Sequence, residues 1–392
     1  MAAGLSAPRE DGFAASWRAE LRHLRRNRWD LAFITVFPLA MVLLMGWLFS
    51  AGGMRQLPVA VVDLDHSADS RLLLRMLDAS PGIEVVSQPG TLDEAFSQVR
   101  ALDVFAVAWI PRDFSRSARR TEAATVIAYY NASYLAGGQS AMRDIADAVT
   151  AFNARLLGEH IGLQLGPAKL RAAPMAVDAA ILFNPARSYA LFLLPLAFAA
   201  VLSLVAALAM TAALGREVRD GTLARWLGAR PWGAIAGKLL PYVLLFSLHG
   251  LLATLWVGWA HGSGVAGSVP ALALGQLLLH LAGAGLALLF VGVTRDMGTA
   301  LSLVGLSIGA SLAFSSATFP VIGAPLFTRV WSALLPLTAY VKLQMQQLLV
   351  GAPWQVSLAP MATLAGIALL AGGIGGWRLA AMRSGALRRA GA

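Results

Sequence analysis

The chain has 392 residues, of which 57% are hydrophobic and 13% charged, about half the charged share of an ordinary soluble domain, roughly 25%. That deficit excludes a simple water-soluble fold, and the absence of cysteine excludes any fold stapled by disulfides. The formal charge of +10 would suit a nucleic-acid partner in a soluble protein, so its distribution along the chain matters more than its size.

Residues 1–29 carry Arg9, Arg18, Arg22, Arg25, Arg26 and Arg28. Within them, Phe13, Trp17, Leu21 and Leu24 recur at helical spacing with arginines on the other face, which predicts an amphipathic helix lying in the interface of an anionic leaflet. Such a helix serves as a topology anchor or as a docking surface for a partner. The next segment, 30–51, contains the uncharged run Leu31–Phe49. Its 19 residues exceed the h-region of a signal peptide, about 7–15, and predict an uncleaved first span.

Segment 52–186 alternates strand-like and helix-like patterns: Leu57–Val62, Ser67–Ser80, Ile83–Ser87, Thr91–Ala101, Val104–Ile110, Arg112–Arg120 and Thr125–Tyr130. This predicts a small α/β domain, followed by a long helix from Gln139 to about Leu165 that returns the chain towards the membrane. Its 12 basic and 14 acidic residues show that the positive charge is not a property of the folded domain, and the nucleic-acid reading loses its support. The cluster Asp63, Asp65, His66, Ser67, Asp69 and Ser70 offers either a metal or phosphate site or the cap of the helix that follows. No calcium-loop spacing follows it, which favours the cap.

Segment 187–392 supplies five further uncharged stretches: Ser188–Leu214, Leu239–Ala260, Ala271–Val293, Thr299–Phe319 and Val356–Trp377. With the first span they predict an α-helical polytopic membrane protein of six transmembrane helices in a 1+5 arrangement. Arginines crowd the N-terminus, the 215–231 loop and the tail, while the loop between the third and fourth spans has no Lys or Arg. By the positive-inside rule both termini and the 215–231 loop are cytoplasmic and the α/β domain is extracytoplasmic.

Gly233-Ala-Ile-Ala-Gly237-Lys238-Leu239 superficially resembles a phosphate loop, but the glycines are one residue too close and no Ser or Thr follows the lysine. No other stretch fits, so no ATPase is expected on this chain. His249 and His280 fall mid-span; they are either functional groups or neutral imidazoles bonded to a neighbouring helix, and no intramembrane carboxylate completes a proton relay. In the fifth span Ser307, Ser311 and Ser315 recur every four residues beside Gly305 and Gly309. That small polar face either packs closely on another helix, in a dimer included, or lines a pathway. The segment 320–351, broken by Pro320, Pro325 and Pro336, predicts short re-entrant or interfacial helices.

The cytoplasmic run from Gly215, with Arg216, Glu217, Arg219, Asp220, Gly221, Thr222, Leu223, Trp226 and Pro231, then Gly237-Lys238, resembles the signature loop of type-2 ABC transporter permeases. Val59–Asp65 and Ile110–Phe114 resemble the outer domain of the subgroup with an insertion after the first span. The resemblance implies a permease of a bacterial inner-membrane exporter that moves a hydrophobic or amphipathic compound, a drug, lipid or glycan. It implies a second permease copy or paralogue and a cytoplasmic ATP-binding subunit that holds ATP and Mg, and it leaves room for a periplasmic adaptor. Coupling to that subunit falls on Arg216, Glu217, Arg219, Asp220, Gly221, Thr222 and Trp226. A receptor or phage-adsorption protein is the competing class, and one span would suffice for it; a membrane enzyme lacks a nucleophile, base or metal cluster.

Overall fold

A computed structural model describes residues 12–48, 55–119, 126–130, 135–164, 188–260, 264–315 and 323–390. The chain divides into two compact units, one formed by 1–50 with 183–392 and the other by 51–182.

The smaller unit follows α1 (Phe13–Arg26), α2 (Arg28–Ile34) and α3 (Val36–Leu48) in the chain and contains β1 (Leu57–Asp63), α4 (Ala68–Asp78), β2 (Ile83–Ser87), α5 (Leu92–Ala101), β3 (Ala106–Ile110), α6 (Phe114–Arg119), β4 (Ile127–Tyr130) and α7 (Leu135–Gln164). The strand order is β2-β1-β3-β4, with β1 parallel to both neighbours and β4 antiparallel to β3. Because side chains alternate along a strand, Val59 and Val61 pack with Leu73, Leu77, Ile145 and Phe152 on one face, and Ala60, Val62 and Val107 pack with Ala95 on the other. Thr91 caps α5 by accepting from the Glu94 amide, while the Glu94 carboxylate turns back to the Gly90 amide. The expected return of the chain beyond Gln164, over 165–187, lies outside the described residues.

The larger unit is all helical. It begins with α1 (Phe13–Arg26), α2 (Arg28–Ile34) and α3 (Val36–Leu48) and continues with α8 (Tyr189–Arg219), α9 (Leu223–Leu227), α10 (Pro231–Ala260), α11 (Val269–Thr294), α12 (Met297–Gly309), α13 (Leu326–Leu334), α14 (Pro336–Met345) and α15 (Leu358–Ala390). Among the described residues five helices are long and apolar enough to cross a membrane, with α2 and α3 together forming one of them. The break at Thr35 has a local cause: Pro38 has no amide to donate to the Ile34 carbonyl, and the Thr35 hydroxyl adds a second bond to the Leu31 carbonyl that already accepts the Thr35 amide.

Of the fifth expected span, Thr299–Phe319, residues 316–319 lie outside the described residues. The described part differs from a continuous span: it is helical as α12 to Gly309 and passes into a 3-10 turn at Ala310–Leu312. Those 16 residues, Met297–Leu312, reach about 24 Å, short of a hydrocarbon core of about 30 Å. The expected re-entrant region is α13 and α14 from residue 323 onward, while Pro320 lies outside the described residues. Exposed tryptophans mark both ends of three spanning helices: Trp29 and Trp47, Trp232 and Trp259, Trp354 and Trp377. This is the placement of an aromatic belt at the two membrane interfaces.

Glycine sets a tight seam between α11 and α15. A Cβ on Gly285 would stand 2.9 Å from the Ala368 carbonyl oxygen, and one on Gly375 would stand 2.3 Å from the Leu288 carbonyl carbon. Backbone meets backbone there, the arrangement by which membrane helices gain dispersion contacts without an aqueous hydrophobic effect.

Candidate functional site

The pair Gly233 and Gly237, examined in sequence as a phosphate loop, is the seat of α1. A Cβ on Gly237 would lie 2.3 Å from the Phe13 carbonyl oxygen, and one on Gly233 would lie 3.2 Å from the Phe13 amide. The small-xxx-small spacing thus lets the first turn of α1 lie against the backbone of α10. The face that α1 buries is Ser16, Glu20 and Leu24, not the expected stripe. Of that stripe only Leu24 is buried; Phe13 is exposed and stacks on the half-buried Trp17 at 5.9 Å. The helix therefore has a protein face containing a carboxylate and, beside it, an aromatic flank suited to lipid.

Glu20 is the centre of a buried charge cluster. Its side chain is 2% exposed; Oε1 receives Arg216 Nη2 at 2.5 Å and Oε2 receives Lys238 Nζ at 2.9 Å. Tyr242 Oη donates to the same Oε1 at 2.5 Å. Lys238, 5% exposed, also reaches Glu217 Oε1 at 2.7 Å, and Glu217 Oε2 accepts from the Thr222 hydroxyl at 2.5 Å. Arg216 extends the cluster to Asp30 Oδ2 at 3.0 Å and to His23. Trp226 closes it: its ring lies 5.1 Å from Lys238 Nζ and its Nε1 donates to the Ser16 hydroxyl at 2.9 Å. Five segments thereby meet, namely α1, α2, the end of α8, α9 and the start of α10.

The energetics explain why all these partners are needed. Burial alone would push the Glu20 carboxyl up, but Lys238 and then Arg216, with the Tyr242 hydrogen bond, hold it below the usual carboxylate range. A buried ion left without its partner carries a desolvation cost of several kcal/mol, on the order of 3–5 when one member is deleted. The cluster therefore holds its members together as a unit.

The sequence-chosen loop residues divide into two groups. Arg216, Glu217, Thr222 and Trp226 turn inward into the cluster. Arg219 and Asp220 pair with each other at 2.9 Å and are 56% and 52% exposed. Gly221 takes a left-handed φ of +66° with open space around it, where a side chain would strain the turn that ends α8. Together with exposed Arg225, Ala229 and Arg230, these residues form the outward face of the loop. Sequence reasoning missed Glu20, Asp30 and Tyr242, and named Lys238 only within the stretch that carries the resemblance. The available signal was a lone carboxylate, Glu20, spaced four residues from Ser16 and from Leu24 in a helix otherwise rich in arginine.

The remaining candidates are placed as follows. Ser307, Ser311 and Ser315 are buried, each hydroxyl bonding a carbonyl three or four residues back, whereas Gly305 and Gly309 lie on the exposed side of α12. His280 is buried, with Nδ1 2.9 Å from the Gln276 carbonyl; His249 Nδ1 has no partner among the described residues. In the smaller unit Asp63 accepts the Asp65 and His66 amides and the Ser70 hydroxyl, and Ser67 caps α4. Among the described residues no group of His, Asp or Glu has a metal-holding arrangement.

These features define a polytopic helical membrane protein with a buried charged junction beneath an exposed charged loop. The family model described as "ABC-2 family transporter protein" matches residues 28–377, so the chain belongs to that family and is an ABC transporter membrane subunit. Membership implies association with a cytoplasmic ATP-binding subunit. No curated protein matches the chain, and no solved structure does.

Proposed function

We propose that the chain is the permease of an ATP-driven exporter in a bacterial inner membrane, moving a hydrophobic or amphipathic compound outward. It works as a dimer with a second copy or paralogue. In this reading both termini and loop 215–231 are cytoplasmic, segment 299–319, of which α12 is the described part, is the sixth span, and the α/β unit faces outward. The observation that carries the proposal is the Glu20 cluster, because it fastens the loop that meets the ATP-binding subunit to α1, α8 and α10 at once.

The coupling follows from that connectivity. The ATP-binding subunit, which holds ATP and Mg, docks on Arg219, Asp220, Gly221, Arg225 and Arg230. Its closure moves the loop, and because Glu217 and Lys238 join the loop to α10, and Glu20 joins both helices to α1, the displacement passes into the spans as a rigid-body tilt. Residues facing the partner set docking strength; residues in the cluster set how much motion is transmitted.

Topology and coupling are tested separately. A cysteine at Ser97 in spheroplasts is expected to react with an impermeant thiol reagent, and one at Ala229 is expected to react only after lysis; the reverse pattern overturns the orientation. For coupling, Glu217→Ala in the reconstituted complex is expected to keep partner binding and to lower transport. Unchanged transport at matched expression would remove Glu217 from the coupling path.

A further inference from the structure

We infer that loop 215–231 is joined to the spans at a second place, by shape instead of charge. Trp232, the first residue beyond the loop, sits on Gly376 of α15, and Leu227 of α9 shares a buried core with Leu379, one turn further along α15. The inference rests on the coupling proposed for that loop and extends it to α11 and α15, which lie outside the five segments that meet at the Glu20 cluster.

The fit at Gly376 is the first observation. A Cβ there would overlap Cζ3 and Cη2 of the Trp232 ring, so the missing side chain is what lets the indole edge reach the α15 backbone. Trp232 remains 52% exposed; only the ring edge enters the notch. Because Trp232 is the second residue of α10, directly after the loop, a displacement of the loop displaces the ring.

Gly375, its neighbour, opens the other side. A Cβ on Gly375 would overlap the backbone of Leu288 and Leu289 in α11. Successive residues on a helix point about 100° apart, so the two glycines thin α15 on two sides at one level, towards Trp232 and towards α11. Gly372 and Arg378, three residues to either side of Gly375, continue the α11 contact. The Gly372 nitrogen lies 3.1 Å from where Gly285 would carry a Cβ, and the Arg378 Cβ lies 3.2 Å from the same point on Gly292. Close-packed contacts of this kind compress little and pass strain on, so a push on α15 at Gly376 is delivered to α11 through Gly375.

The second observation is the apolar core beside the notch. Helix α9 lies against α15; Leu227 and Leu379 are both 0% exposed and belong to one cluster, with Leu223, Trp226 and Met382 packed against it. Two successive residues of α9 thus serve the two connections: Trp226 closes the charged cluster and Leu227 enters the core shared with α15. A loop held by both carries α1, α8 and α10 by charge, and α15 with α11 by packing, as one rigid body.

Because the chain has no native cysteine, two introduced thiols can carry spin labels: Ala224→Cys on α9 and Arg295→Cys at the exposed C-terminal end of α11. The full chain is labelled, diluted with unlabelled chain so that the distance within one copy is read, and assembled with its ATP-binding subunit in nanodiscs, with and without ADP and vanadate. The α9-to-α11 distance is expected to stay fixed on trapping. Trp232→Ala combined with Leu379→Ala is expected to make it shift by about 2 Å or more on trapping, and Trp232→Phe, which keeps a ring in the notch, to leave it fixed. If the double variant fails to fold, Gly376→Ala gives the same readout by pushing the ring out, with Gly373→Ala, which has open space around it, as the control. A merely structural role would change the resting distance without making it depend on trapping. A distance that already changes in the parent, or one that stays fixed in the double variant and in Gly376→Ala, overturns the second connection. The single label at Ala224→Cys separates this failure from that of the coupling itself. A loop-to-loop distance between two copies that is absent or unmoved by trapping would overturn the proposed coupling and this inference with it, whereas a moving loop that α11 still follows in those variants would overturn this inference alone.

Discussion

The seat of α1 on α10 and the seam between α11 and α15 are both opened by glycine, yet they are closed by different forces. At the seam Gly285, Gly292 and Gly375 bring backbones together, carbonyl against Cα. At the seat Gly233 and Gly237 bring α1 close, and Glu20, Lys238 and Arg216 then lock it. The difference teaches that glycine sets how near two helices come, while the groups around the contact decide whether it is fixed or can transmit a change. A charged lock needs every member, so a displacement of one is felt by all.

The largest effect should come from breaking the lock at its centre. Glu20→Ala leaves Lys238 and Arg216 facing each other without the carboxylate, a loss of about 3–5 kcal/mol, and is expected to lower the thermal transition of the purified protein and to expose α1 to protease. The neighbouring measurement is pH. Because the Glu20 carboxyl is held below its ordinary value, its contribution is complete above the unfolded pKa of about 4.5 and is lost as pH falls through the lowered value. Melting curves should therefore show no Glu20-dependent change from pH 8 to 5 and a decline below that, which Glu20→Gln flattens.

Next in size is the seat itself. Gly237→Val places a side chain against the Phe13 carbonyl, and overpacking of this kind costs about 1–3 kcal/mol. It should release α1 from α10 while leaving the α11–α15 seam intact, as read by crosslinking of Ala282→Cys with Leu364→Cys. The smallest effect on stability is expected at Arg219 and Asp220, whose pairing is exposed and screened. Reversing both charges should leave the melting curve unchanged and weaken binding of the ATP-binding subunit, measured by co-purification. A stability loss there would place these residues with the cluster and erase the distinction between the inner and outer faces of the loop.

How much of this was legible in the sequence follows the range of the interactions. The α/β unit was readable nearly residue by residue: Ile83–Ser87 is β2 as expected and Thr91 is the cap of α5, because alternation and capping are local signals. The span pattern was readable for the same reason, except that α12 gives way to a 3-10 turn at Ala310–Leu312. The cluster was not readable. Arg216 and Tyr242 lie 196 and 222 residues from Glu20, and no periodicity within α1 reports them. Gly233 and Gly237 failed the spacing test of a phosphate loop, and what their spacing does encode, close packing, needs α1 in place to be seen. Glu217 was singled out for coupling from the family resemblance; its contact with Lys238 of α10 is visible only once the loop is folded back.

The central claim is that Glu217 and Lys238 act as one connection between the loop and the spans. The direct measurement is a double-mutant cycle, Glu217→Gln with Lys238→Met, on transport by the reconstituted complex at matched expression. The account predicts that each single variant loses about tenfold and that the double variant is no worse than the worse single, because both remove the same connection. Losses that multiply to about a hundredfold would show that the two residues act independently and would contradict it.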